Sequence, residues 1–172
     1  MDEILGMEGM ASQTYFSVFS LFLKQQRNDF AFTLRTRRPP RDRINCLISF
    51  LYALVRHDCI AALTCIGLDP FVGFLHADRP NRPSLALDLM EEFRPWLADR
   101  LAITLINRQQ IKPDHFNVRE GGAVEFTEAG RKLVIKAEED SLRFYFLDET
   151  AVSRIEHHGV AKPVDLTEPL IV

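Results

Sequence analysis

Ser84-Leu85-Ala86-Leu87-Asp88-Leu89-Met90-Glu91-Glu92-Phe93 is the stretch on which the reading of the fold turns. Leucine, alanine, methionine and glutamate are strong helix formers, and the run holds no Gly or Pro. The segment predicts a helix from about Ser84 to about Asn107, kinked or split by Pro95. Asp88 and Glu91 stand three residues apart, and Glu92 stands four from Asp88, so the acids share one helix face. Leu85, Leu87, Leu89 and Met90 surround them. A carboxylate turned toward a packed interior is costly unless it is paired or binds a metal.

Upstream of that helix, Gly67 to Pro83 is rich in Gly, Pro, Asp and Arg and reads as a loop. Before it, Ile44, Leu47, Ile48, Leu51, Val55, Ile60, Leu63 and Ile66 recur at helical spacing, which predicts a second helix from about Arg43 to Ile66, ended by Gly67. Asp42 is placed to cap it. Pro39 and Pro40 prevent helix in the preceding run. The first segment, about Ile4 to Arg27, repeats Met7, Met10, Ala11, Phe16, Phe19, Phe22 and Leu23 at three- and four-residue steps. It predicts a helix whose Phe and Met stripe is core.

Downstream, Phe116 and Val118, then Gly121-Gly122, then Val124 and Phe126 predict a small hairpin within Asp114 to Phe126. Thr127 with Glu128 opens a last helix through Lys136. After Ala137 the pattern changes: Leu142 to Leu147 alternates as a strand would, and the chain ends in Pro169-Leu170-Ile171-Val172. The fold class is therefore mainly α, with one small β-hairpin and a C-terminal strand and tail.

The 172 residues are 47% hydrophobic and 26% charged, which fits one ordinary globular domain with an appendage. The formal charge of -3 gives no global pull toward nucleic acid, so any such surface must come from local clusters of the 21 Lys and Arg. Cys46, Cys59 and Cys65 form no C-x-x-C pair and read as reduced core thiols. Met1-Asp2-Glu3 is acidic where a signal peptide needs basic residues, and Arg56, His57 and Asp58 interrupt the apolar second helix. The chain is expected to be cytoplasmic, with no membrane span.

Four side chains could carry chemistry: Glu8, His76, Asp88 and Glu91. Glu8 near a helix start could instead serve the helix dipole, and a lone loop histidine is often structural. Imidazole with carboxylates suits Mg²⁺ or Mn²⁺ acting on phosphates. Arg35, Arg37, Arg38, Arg41 and Arg43 crowd into nine residues, and Arg79 and Arg82 flank the His76 loop. Such clusters grip phosphate oxygens, although a solvated, ion-paired run fits the same pattern. His57 and the pair His157-His158 read as structural or solvated.

Met7-Glu8-Gly9-Met10-Ala11 with Tyr15-Phe16, Arg37-Arg38-Pro39-Pro40-Arg41-Asp42 with Asn45, Gly73-Phe74-Leu75-His76, and Leu87-Asp88-Leu89-Met90-Glu91 together resemble the larger subunit of the CRISPR adaptation complex. That family is the integrase and metal-dependent DNA endonuclease that inserts spacers. The resemblance covers about residues 1–137 and is to its α-helical catalytic domain. It implies Glu8, His76 and Glu91 as ligands of Mg²⁺ or Mn²⁺, Asp88 as a neighbouring catalytic acid, and Arg37, Arg38, Arg41, Arg79 and Arg82 as DNA-binding residues. It also implies double-stranded DNA, a homodimer and the small adaptation subunit as partners. Residues 138–172 resemble the C-terminal strand and docking tail of that small, endoribonuclease-like subunit. Against the family pattern, the upstream β domain and the end of the helical domain are missing, which reads as a deletion joining two genes. Beside catalysis, the sequence leaves open a non-catalytic interaction module in which Leu142, Phe144 and Phe146 add a strand to a partner's sheet.

Overall fold

A computed structural model describes residues 2–76 and 79–146. The elements run α1 (Asp2–Val18), a 3₁₀ turn (Phe19–Phe22), α2 (Arg43–Cys65), α3 (Ser84–Phe93), a π-helical segment (Arg94–Asp99), α4 (Arg100–Asn107), a short turn (Pro113–His115), β1 (Phe116–Val118), β2 (Val124–Phe126) and α5 (Glu128–Phe146).

The centre of the molecule is α2. Ile44, Leu47, Ile48, Leu51, Val55 and Leu63 on its inner stripe are buried. Each such side chain contributes about 1.5–3 kcal/mol on leaving water. The helix packs against α3, the π segment, α4, β2 and α5. Asp42 caps its start by accepting the Asn45 N–H at 2.7 Å. By length and composition α2 could cross a membrane despite Arg56, His57 and Asp58; its place at the heart of the packing is that of a core helix. Cys46 and Cys59 are buried, but Cys65 is exposed and is not a core thiol.

The first helix is shorter than its periodicity predicts and stops at Val18, where the 3₁₀ turn takes over. Phe19 and Leu23 are fully buried, yet Met7 and Met10 are about two-thirds exposed at 66% and 65%. The apolar stripe therefore enters the core only at its C-terminal end. There Gln26 donates from Nε2 to the Ile106 and Ile111 carbonyls at 2.9 and 3.0 Å, tying the segment to the end of α4.

Pro95 neither stops the long helix nor merely bends it. Six residues around it, Arg94–Asp99, widen into a π turn before α4 resumes. The hairpin pairs Phe116 with Phe126 and Val118 with Val124. Gly121 and Gly122 turn it at φ 91° and 76°, a conformation glycine adopts without a Cβ penalty.

One expected element is overturned. Leu142 to Phe146 are the last turns of α5, not a strand. The ring of Tyr145 stands 5.1 Å from Trp96, and Phe146 stands 6.0 Å from Phe93, so the aromatic face of α5 docks on α3 and the π segment. In this conformation these residues present no strand edge for pairing with another sheet. Leu147, His157-His158 and the Pro169–Val172 terminus lie outside the described residues.

Candidate metal and nucleic-acid site

The Gly73-Phe74-Leu75-His76 loop folds onto α3, and the side chain of Asp88 is what it folds around. Oδ2 of Asp88 accepts the Phe74 and Leu75 backbone N–H groups at 2.7 and 3.0 Å. Oδ1 accepts the His76 N–H at 3.0 Å and meets His76 Nδ1 at 2.5 Å. Gly73 makes the approach possible: a Cβ there would stand 2.5 Å from Ser84 Cβ, 2.8 Å from the Ser84 carbonyl carbon and 3.0 Å from Asp88 Oδ2. Any side chain at position 73 would hold the loop away from the helix.

Burial works against the Asp88 charge, but the hydrogen bonds from Leu75, His76 and Phe74 outweigh it and hold the carboxyl below its ordinary pKa. An ionised carboxylate only accepts hydrogen bonds. The His76 nitrogen facing it must therefore carry the hydrogen, which leaves Nε2 as the ring nitrogen outside this contact. A metal-ligating histidine characteristically donates its other ring N–H to a carboxylate in this manner. The His76–Asp88 contact is the supporting arrangement that a metal-ligating Nε2 would need. Asp88 is met by four donors.

Glu91 lies almost one turn further along α3, half-buried, with Arg94 Nη1 at 2.7 Å. Glu8 lies in α1. Among the described residues no group of three or more His, Cys, Asp or Glu is arranged to hold a metal by itself. His76 and Asp88 are the pair of candidates brought into contact.

The arginine run divides. Arg37 and Arg38 are exposed. Arg41 is exposed too, but it donates through Nη1 to the Gly121 carbonyl and fastens the loop to the hairpin turn. Arg35 is drawn inward, donating to Asn45 Oδ1 and the Thr36 carbonyl at 2.8 Å and to Ser49 Oγ at 3.0 Å. Arg43 donates to the Asp29 carbonyl at 2.6 Å. The expected nine-residue phosphate cluster is thus partly a scaffold. Arg79 is exposed and Arg82 half-buried. A cleft of about 660 Å³ opens between α1 and residues 33–37, lined by Gly9, Ser12, Gln13, Phe16, Arg35 and Arg37. The backbone next to Glu8 and the outward Arg37 share that opening.

The sequence also holds a site that its motifs did not announce. Asp99 is 2% exposed and accepts a hydrogen bond from Tyr52 Oη at 2.8 Å. Burial pushes its carboxyl up to about 6. The signal that could have found it is the one used for Asp88: an acid inside an apolar run, here Leu97-Ala98-Asp99 before Leu101-Ala102.

The described residues thus form a mainly helical domain with a histidine–carboxylate pair on a glycine-anchored loop. Residues 1–140 match the family described as CRISPR associated protein Cas1, and the chain belongs to that family. It is 52% identical over 154 residues to CRISPR-associated endonuclease Cas1 2 of Rhodospirillum rubrum, covering 87% of this chain and 45% of the relative. It is 37% identical over 170 residues to CRISPR-associated endonuclease Cas1 1 of Thermus thermophilus, covering 99% of this chain and 48% of the relative. The fold resembles a Cas1 protein of Thermotoga maritima, with TM-score 0.78 and 31% identity over 95% of this chain and 53% of that one. It also resembles a casposase bound to integration product, with TM-score 0.75 and 27% identity over 99% and 52% of the two chains. A partial Cas6-RT-Cas1–Cas2 complex matches at TM-score 0.77 and 30% identity, over 91% and 47%. The chain spans about half the length of these relatives.

Proposed function

We propose that this chain carries the divalent-metal centre of a DNA endonuclease and integrase acting in CRISPR spacer acquisition. The observation that carries the reading is the His76–Asp88 pair, in which the carboxylate engages Nδ1 and leaves Nε2 outside the contact, beside an acid-bearing helix. His76, Glu91 and Glu8 would hold the metal, while Asp88 fixes the tautomer and orientation of His76. Bound Mg²⁺ or Mn²⁺ supplies Lewis-acid polarisation of the scissile phosphate and activation of an attacking 3′-hydroxyl or water. Arg37 and Arg38, with Arg79 and Arg82, position the DNA backbone; Arg41 shapes the loop that carries them.

The partners on this reading are double-stranded DNA, a second copy of the chain and the small adaptation subunit, in the cytoplasm. The casposase bound to integration product and the complex with Cas2 support the DNA and subunit partners. α5 crosses Ala137-Glu138 without a break, and the Thermus relative aligns over nearly the whole chain. Both observations favour a tail continuous with the larger subunit's own fold over one taken from the small subunit.

The test is Mn²⁺-dependent nicking or strand transfer on branched DNA by the chain and by His76→Ala. The expected outcome is loss of the reaction in the variant. Equal rates in both proteins would remove His76 from the metal and end this reading.

A further inference from the structure

Asp99 lies at the end of the π segment among Leu97, Ala98 and Leu101, all buried. A carboxyl in such surroundings persists only where donors meet it. Two phenols do so: Tyr52 from α2 at 2.8 Å, and Tyr15 from α1. The guanidinium of Arg94 lies over the Tyr52 ring at 5.0 Å, and that of Arg35 lies over the same ring at 5.5 Å. Arg35 also stands 5.9 Å from the Phe16 ring. One buried acid thus gathers α1, the arginine segment, α2 and the π segment.

Two consequences reach the metal site. Tyr15 follows Glu8 by seven residues, about two helical turns, so positions 8 and 15 share a face of α1. The half of α1 that carries Glu8 exposes Met7 and Met10. It draws no core anchorage from them, and the rotation of the helix is set where Tyr15, Phe16 and Phe19 dock. At the other end of the assembly, Arg94, which stacks on Tyr52, is also the residue that pairs with Glu91.

We infer that Asp99, Tyr15 and Tyr52 are positioning residues that fix α1 and α3, the helices bearing Glu8 and Glu91, in mutual register. The inference rests on the metal reading given under Proposed function. The assembly acts through the rotation of α1 at one end and through Arg94 at the other.

The experiment is Mn²⁺ binding followed by loss of the free-ion EPR signal, with thermal unfolding measured in parallel. Tyr15→Phe removes only a hydroxyl and is the primary variant, with Asp99→Asn and Tyr52→Phe beside it. Tyr15→Phe is expected to weaken Mn²⁺ binding about tenfold at temperatures well below its unfolding transition, in the range that supporting groups around metal ligands command. In the Glu8→Gln background the same change is expected to alter binding by less than about twofold, because the group it orients is already lost. A lowered Tm with unchanged Mn²⁺ affinity would reduce the assembly to core packing and overturn the inference. So would an equal loss in both backgrounds. If His76→Ala binds Mn²⁺ as the unaltered chain does, the metal reading fails and this inference with it. If His76→Ala loses binding and Tyr15→Phe keeps it, only this inference fails.

Discussion

Asp88 and Glu138 are both acids on a helix turned toward a neighbouring element, and they are received in opposite ways. Asp88 meets three backbone N–H groups and the Nδ1–H of His76. Glu138 in α5 is 4% exposed and faces Asp58 of α2, another acid. Among the described residues, Glu138 Oε1 and Asp58 Oδ2 are buried oxygens with no hydrogen-bond partner. The Asp88 carboxyl is held below its ordinary pKa despite burial. Glu138 is pushed up to about 8, by burial first and then by the neighbouring Asp58 carboxyl. Burial alone therefore does not decide what a buried acid becomes. The donors that arrive with it do: backbone N–H groups make a fixed anion that can orient a histidine, whereas a second carboxylate makes a proton trap.

The largest effect expected from this contrast is at Gly73. The Asp88 anion exists because the loop backbone comes close enough to donate, and Gly73 sets that distance. Gly73→Ala would place a methyl 2.5 Å from Ser84 Cβ and 2.8 Å from its backbone carbon. The loop must move, and the three N–H donors and His76 move with it. Activity on branched DNA should fall on the order of 100-fold, the scale of a displacement of about 1 Å at a reacting centre. Asp88→Asn should fall with it, roughly 10–100-fold, because an amide can donate to Nδ1 and release the tautomer. A Gly73→Ala rate like that of the unaltered chain would separate the glycine from the clamp.

Much of this was legible in the residues and some was not, for physical reasons. The stripe of α2 and the Asp42 cap follow from spacing and local chemistry, so they needed nothing distant. The acids of α3 were visible because carboxylates in an apolar run are costly wherever they occur. Their division of labour was not visible. Whether Asp88 or Glu91 faces the His76 loop depends on a contact across twelve residues of chain, which periodicity does not encode. The Leu142–Phe146 segment misled for the same reason. Its alternation is also compatible with Glu138, Ser141, Leu142 and Tyr145 at helical steps, and Trp96 and Phe93 supply the partners that make the helix win. Likewise Met7 and Met10 keep the period of a buried stripe although no element among the described residues covers them.

The second effect concerns stability, and the two acids should give it opposite signs. A carboxyl with a depressed pKa, as at Asp88, stabilises the fold above the ordinary carboxylate range and loses that contribution as pH falls. Glu138 is raised from 4.5 to about 8, so the unfolded chain gives up this proton first. Stability from this site is full below pH 4.5 and declines as pH rises toward about 8. Glu138→Gln keeps the shape and supplies an amide N–H for Asp58. At pH 8 it should stabilise the chain by roughly 1–3 kcal/mol, the cost of leaving a buried polar group unsatisfied. Denaturant unfolding at pH 5 and pH 8 would check this. A variant with the same pH dependence as the unaltered chain would show that Glu138 and Asp58 are not the groups responsible.

Asp42 gives the smallest effect and the cleanest extension of the comparison, because it is a carboxylate met by N–H donors with no histidine to orient. It accepts the Asn45 backbone N–H at 2.7 Å and the Asn45 Nδ2–H at 2.5 Å. Asn45 in turn donates to the Leu34 carbonyl and accepts from Arg35, so the cap also steadies the base of the arginine segment. Asp42→Ala should cost about 1 kcal/mol, the usual value of a helix N-cap. Asp42→Ser should recover most of that loss, since a hydroxyl can accept the same N–H. Mn²⁺ affinity should stay unchanged in both variants, in contrast to Asp88→Asn, although both acids are received by backbone donors. A weakening of Mn²⁺ binding in Asp42→Ala would mean that the arginine segment, and not the His76 loop alone, holds the site in shape.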